Sequence, residues 1–184
     1  LAFTLLMERK LGHRATLRAG DLEWGAWLAP HNGQRSTVAP AAPEDEALIL
    51  LSGGTTGTPK GVQVWHRGMV YTGRQFVEWL GDGLRGATGG IMLPLPMFHS
   101  YGACAAQSVA FIGHNPIVLV PNPRDIGDLL KTIKQVRPAF FNGIPTLYNA
   151  ILNRPDVRAG KVDLSSIKLC FSGAAALMAE TKRR

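Results

Sequence analysis

ALILLSGGTTGTPKGVQVW, residues 47–65, sets an unbroken apolar run against a loop of glycines, threonines and one lysine, then returns to apolar residues. The run ALILL (47–51) predicts a strand buried on both faces, and residues 62–65 a second, short strand. Between them, SGGTTGTPKG (52–61) holds four glycines, three threonines, one proline and one lysine. Glycines let backbone amides close on an anion and permit left-handed dihedrals. The hydroxyls of Ser52, Thr55, Thr56 and Thr58 and the mobile charge of Lys60 suit phosphate oxygens. No Asp or Glu lies between Glu46 and Glu78, whereas Lys60, Arg67 and Arg74 do, a field that favours a polyphosphate. The Walker pattern G-x-x-x-x-G-K-[ST] is absent, because Lys60 follows Pro59 and precedes Gly61. The alternative is a flexible turn, for which one or two glycines would suffice.

Downstream, strand and helix patterns alternate. A helix is predicted over 67–80, with Met69, Val70, Phe76, Val77 and Leu80 facing inward. A strand at 91–95, a helical stretch at 103–112 and a strand at 117–120 follow. Residues 125–136 carry Ile126, Leu129, Leu130, Ile133 and Val136 at helical spacing, with an acidic start and a stop at Pro138. Then come a strand at 139–142, a helix at 146–152 after Pro145, a strand at 167–171 and a helix beginning near Met178. Such alternation implies an α/β architecture with a largely parallel sheet and flanking helices. Ligands of such sheets gather at the carboxyl ends of the strands. Residues 1–46, with weak periodicity and the Pro/Ala segment VAPAAPED, read as a connecting or peripheral segment before the domain at 47–184.

The chain of 184 residues is 46% hydrophobic and 18% charged, values that exclude a disordered tail. Its net charge of +7 owes three charges to Lys182, Arg183 and Arg184, and the other basic residues are scattered. No basic run interleaved with aromatics argues for a nucleic-acid face. Cys104 and Cys170, in GACAA and KLCFS, read as two buried thiols, and nothing has zinc-ligand spacing. This suggests a reducing compartment, hence the cytoplasm. LAFTLL at the start is too short for a membrane span and is followed by Glu8, Arg9 and Lys10.

Two further loops invite chemistry. LPLPMFHSYG (93–102) puts His99 directly after an apolar strand; by itself it reads equally as a rim histidine. FSGAAAL (171–177) ends the last strand with Gly173 and three alanines. Such small residues let a planar ring lie against backbone, or else mark tight packing at a strand-to-helix turn.

Taken together, SGGTTGTPKG, MFHSYG, FNGIPTLYNAIL (141–152) and FSGAAAL resemble the adenylate-forming, AMP-binding superfamily. Gly-Gly-Thr-Thr-Gly and Gly-x-Pro-Thr-Leu-Tyr are most similar to bacterial long-chain fatty-acid–CoA ligases. The resemblance implies that Ser52, Gly53, Gly54, Thr55, Thr56, Gly57, Thr58, Lys60 and Gly61 clasp the β- and γ-phosphates of ATP. It implies catalytic roles for His99, beside the reacting carboxylate, and for Lys60. Ser172, Gly173, Ala174 and Ala175 would flank adenine, and Tyr101, Gly102, Gly143, Ile144 and Pro145 would border the acyl pocket. Core packing is the equal alternative for that last set. Gly53 stands where many members carry a hydroxyl, so a side-chain phosphate or magnesium contact is lost there.

The implied reaction joins a fatty acid to coenzyme A at the expense of ATP with Mg2+, through an acyl-adenylate. No residue of this chain is assigned to the metal. The resemblance covers 47–184 and further implies a fragment of a large N-terminal domain, inactive alone, whose partner is the C-terminal domain of the same enzyme. Long acyl substrates partition into bilayers, so peripheral contact with the inner face of a membrane is compatible, with no anchor visible. Two rivals stand: adenylation of another carboxylate (aryl, short-chain or amino acid), and a non-catalytic nucleotide-binding module.

Overall fold

The computed structural model describes residues 16–35, 37–52, 57–84 and 89–183. The chain divides after Pro40 into two compact units. In the first, a short helix α1 (Trp24–Leu28) stacks Trp24 on Trp27 at 5.4 Å between ring centroids, and both rings are exposed.

The second unit is α/β. A hairpin of β1 (Glu46–Ser52) and β2 (Lys60–Trp65) pairs antiparallel, with Ser52 opposite Lys60. Helix α2 (His66–Leu80) follows directly. Then comes a parallel sheet of β3 (Ile91–Leu93), β4 (Ile117–Leu119), β5 (Phe140–Gly143) and β6 (Leu169–Ser172), in the order β4-β3-β5-β6. Between β3 and β4 a π-helical stretch, Tyr101–Gln107, runs into α3 (Ser108–Ile112). Helix α4 (Ile126–Val136) joins β4 to β5, α5 (Pro145–Leu152) and α6 (Pro155–Arg158) join β5 to β6, and α7 (Ala179–Arg183) comes last.

Local chemistry sets these boundaries. The Asp125 carboxylate accepts from the Asp128 amide at 3.0 Å, capping α4. Arg137 closes the same helix in a left-handed conformation just before Pro138. Pro145 opens α5, where its missing N–H costs nothing.

The sheet is covered on both faces. On one, α4 and α5 press Leu129, Leu130, Ile133, Leu147 and Ile151 against Met92 and Phe141. On the other, α2 and α3 pack Phe76, Val109 and Ala110 against Ile91 and Phe140. Helices α2 and α3 meet at Gly73, where an added Cβ would lie 2.6 Å from the Ser108 carbonyl oxygen. Here only glycine allows the approach. None of the helices among the described residues is long and apolar enough to cross a membrane.

Three expectations need correction. Residues 47–51 form a strand, but not one buried on both faces: it is half of a two-stranded antiparallel ribbon, with Ile49 59% and Leu51 75% exposed. An antiparallel pair can leave one face to solvent, and no described element covers this one. Val70 is exposed rather than inward, because Gly73 and its neighbours carry the helix contact. Cys170 is also exposed, on a strand paired along one side only among the described residues, whereas Cys104 is half-buried.

Candidate functional site

The connections of β3 and β5 create a crevice. The chain leaving β3 turns to the α2/α3 face, while the chain leaving its neighbour β5 turns to the α4/α5 face. Adjacent strands whose loops diverge open a cleft at their carboxyl ends, where α/β sheets bind ligands. The histidine loop follows β3, residues 144 and 145 follow β5, and the turn at 172–175 ends the neighbouring β6.

In the histidine loop His99 is exposed, and its Nδ1 accepts from the Tyr101 amide at 3.1 Å. With Nδ1 accepting, the ring carries its proton on Nε2, which is left outward as a hydrogen-bond donor. The His99 amide in turn donates to the Pro96 carbonyl at 3.1 Å, which shapes the turn. Gly102 is buried, with an added Cβ only 2.3 Å from the Pro96 carbonyl oxygen. Phe98 is 83% exposed beside His99.

Tyr101 ties these pieces together. Its hydroxyl donates to the Phe171 carbonyl at 3.0 Å, with the Gly143 carbonyl at 3.3 Å sharing the proton. Its ring occupies the space that a Cβ on Gly173 would enter at 2.8 Å. Tyr148 makes the companion contact: its hydroxyl reaches the Phe171 carbonyl at 2.9 Å and the Phe141 carbonyl at 3.1 Å, and its ring lies where a Cβ on Gly143 would be, at 2.8 Å. Burial pushes both phenols well above their ordinary pKa, so both remain donors. Tight packing thus accounts for Gly173 and Gly143, whatever else the turn does.

Beyond Gly173 the chain enters a strained turn. Ala174 has φ +65°, a left-handed value that alanine rarely adopts. The Gly173 amide donates to the Gly143 carbonyl at 3.2 Å, and Ala174 and Ala175 are exposed. The Ser172 hydroxyl is buried with no hydrogen-bond partner among the described residues.

The glycine-rich loop crosses between the two strands of the hairpin. Gly53, Gly54, Thr55 and Thr56 lie outside the described residues. Gly57 has φ +105°, and Thr58 and Lys60 are exposed. The Ser52 hydroxyl donates to the Lys60 carbonyl at 3.3 Å, closing the base of the loop. Of the basic residues in the acid-free window, Arg67 is engaged elsewhere. Its guanidinium pairs with Glu44 at 3.4 Å and lies 4.4 Å from the Trp65 ring centroid. Arg74 lies exposed on α2, and Lys60 is the basic residue that adjoins the loop in sequence. Among the described residues no group of three His, Cys, Asp or Glu could hold a metal ion.

The crevice brings together His99, Tyr101, Gly102, Gly143 and Gly173, while Ile144, which follows β5, is half-buried against the core on the α4/α5 face, and Pro145 opens α5. Sequence reasoning missed Tyr148 and Phe171 as partners of this group. The signal was present in the two glycines, for which packing stood as the alternative reading without the ring that fills the space.

Comparison with known proteins agrees with this geometry. A family model described as AMP-binding enzyme matches residues 7–184. A long-chain-fatty-acid–CoA ligase of Bacillus subtilis is 36% identical over 149 residues, covering 80% of this chain and 26% of the relative. The 4-coumarate–CoA ligase 4 of Arabidopsis thaliana is 31% identical over 140 residues, covering 76% of this chain and 24% of that protein. Among solved structures, ATP-bound MatB from Rhodopseudomonas palustris superposes with a TM-score of 0.63 at 25% identity, over 81% of this chain and 28% of that one. The chain therefore spans about a quarter of the length of the curated relatives it matches. With its loops in this order and its crevice at the switch of strand connections, the chain belongs to the AMP-binding enzyme family.

Proposed function

We propose that the chain is part of an acid–thiol ligase that activates a long-chain fatty carboxylate with ATP and passes it to coenzyme A. The carboxylate oxygen attacks the α-phosphorus of ATP, the bond to the β-phosphate oxygen breaks, and acyl-adenylate and pyrophosphate result. The coenzyme A thiol then attacks the acyl carbon, and AMP leaves. The observation that best supports this reading is the crevice, where an exposed histidine and a strained small-residue turn are held by one tyrosine. ATP-bound MatB and the fatty-acid ligase of Bacillus subtilis are similar to this chain over 81% and 80% of its length.

In this reading the loop at 52–61, led by Lys60 and the hydroxyls of Ser52, Thr55, Thr56 and Thr58, stabilises the pyrophosphate as charge moves onto it. The amides of Gly53, Gly54, Gly57 and Gly61 complete the cradle. Gly53 contributes backbone alone. His99 orients the carboxylate through Nε2; general-base work is unnecessary, since a carboxylate is ionised near neutral pH. Ser172, Gly173, Ala174 and Ala175 flank the adenine. Tyr101, Gly102, Gly143, Ile144 and Pro145 border the acyl entrance. Magnesium enters as the counter-ion of the triphosphate, where it neutralises phosphate charge.

The match to 4-coumarate–CoA ligase 4 supports a second reading, an aryl carboxylate as substrate. Carboxylate-dependent exchange of labelled pyrophosphate into ATP by the full-length protein separates the two. Exchange with palmitate and oleate but not with 4-coumarate is the expected result. Exchange with 4-coumarate alone would replace the substrate, and none with any carboxylate would sink the ligase reading.

A further inference from the structure

We infer that Tyr101 is a positioning residue: its hydroxyl spans the crevice and holds the strained turn at 172–175 in the conformation that receives the nucleotide. The inference rests on the proposed nucleotide site and deepens it. A left-handed alanine persists only where its surroundings over-determine it. At Ala174, with φ +65°, what surrounds the turn is specific. The carbonyl of Phe171 just upstream accepts from Tyr101 at 3.0 Å and Tyr148 at 2.9 Å, and the Gly173 amide is bound to Gly143 at 3.2 Å. The Tyr101 ring also fills the side-chain space of Gly173. The two tyrosines differ in where they come from. Tyr148 sits on α5 and binds carbonyls of β5 and β6 and the Cys170 thiol, none of them on the histidine loop, whereas Tyr101 begins the π-helical stretch whose preceding residues carry His99. The Tyr101 backbone amide sits on His99 Nδ1 while its hydroxyl sits on β6. One residue thereby fixes the spacing between the carboxylate side of the crevice and the nucleotide side.

The test uses the full-length protein with Tyr101→Phe and Tyr148→Phe, which keep both rings and remove one hydroxyl each. Three quantities are read: the ATP dissociation constant by equilibrium dialysis, the KM values for ATP and carboxylate in pyrophosphate exchange, and the melting temperature. Tyr101→Phe is expected to weaken ATP binding and raise its KM about fivefold, the effect of one hydrogen bond, with the carboxylate KM within about twofold. Tyr148→Phe is expected to lower the melting temperature by about 2 °C, also the effect of one hydrogen bond, and leave ATP binding within about twofold. Equal weakening of ATP binding in both variants, or no weakening in either, overturns the inference and leaves only a structural role. A wild-type protein that binds ATP but exchanges with no carboxylate overturns the ligase reading alone, because the dialysis comparison still decides on Tyr101. A wild-type protein that does not bind ATP overturns both.

Discussion

The crevice at the end of the parallel sheet and the hairpin that carries the glycine-rich loop are built in opposite ways. At the crevice, glycines sit against rings and carbonyls: Gly102 against Pro96, Gly143 against Tyr148, Gly173 against Tyr101. On the hairpin, an added Cβ at Gly57 would meet nothing within 4 Å, and at Gly61 only the Ile49 side chain, at 3.0 Å. The same residue type serves close packing in one place and open backbone in the other. A site that must hold a nucleotide in register gains from the first arrangement. A loop that must close on phosphates and release pyrophosphate gains from the second.

Glycine substitutions test that contrast most directly. Gly102→Ala drives a Cβ into the Pro96 backbone, which cannot yield like a side-chain tip, so the full-length protein should lose about 3 kcal/mol in urea unfolding. Gly61→Ala meets only the Cγ2 methyl of Ile49, a side chain exposed enough to shift by a few tenths of an ångström, and should cost under about 1 kcal/mol. Comparable losses from the two would erase the difference between the regions.

A change of charge should divide them the other way. Lys60 is exposed, so Lys60→Ala should leave the urea midpoint where it is. Losing a charged contact to phosphate should nonetheless cut pyrophosphate exchange roughly 10- to 100-fold. Activity kept at wild-type levels would remove Lys60 from the site and return the loop to a plain turn.

The order of elements was legible in the sequence because the signals are local. The spacing of Leu129, Leu130 and Ile133, the Asp125 cap and the Pro138 stop each act within one helix. The histidine loop was legible for the same reason, as a strand end followed by a short named pattern. What escaped was long-range. Whether ALILL is buried depends on what lies over it, and neither its composition nor its length carries that information. Likewise, Gly173 takes its meaning from Tyr101, which reaches it only after three crossovers have set β3, β5 and β6 side by side.

The smallest expected effect concerns the approach to β6. Arg137, at the end of α4, donates to the Asp163 carboxylate at 2.8 Å and to the Ser165 hydroxyl at 3.3 Å, so the loop entering β6 is pinned to the helix entering β5. The Arg137 hydrogen bond, followed by those from Ser165, holds the Asp163 carboxyl well below its usual range. A carboxyl whose pKa is lower folded than unfolded contributes stability that is full above the unfolded value, near 3.9, and is lost as pH falls through the folded one. The pair is half-exposed, which keeps its contribution small. Asp163→Asn should therefore speed amide exchange slightly at Leu169 and Cys170 at pH 7. It should leave the amides of β2 unchanged, and the gap from wild type should narrow below about pH 4. Faster exchange in both regions at once would mean that the hairpin and the crevice open together, and the two modes of construction would then be one cooperative unit.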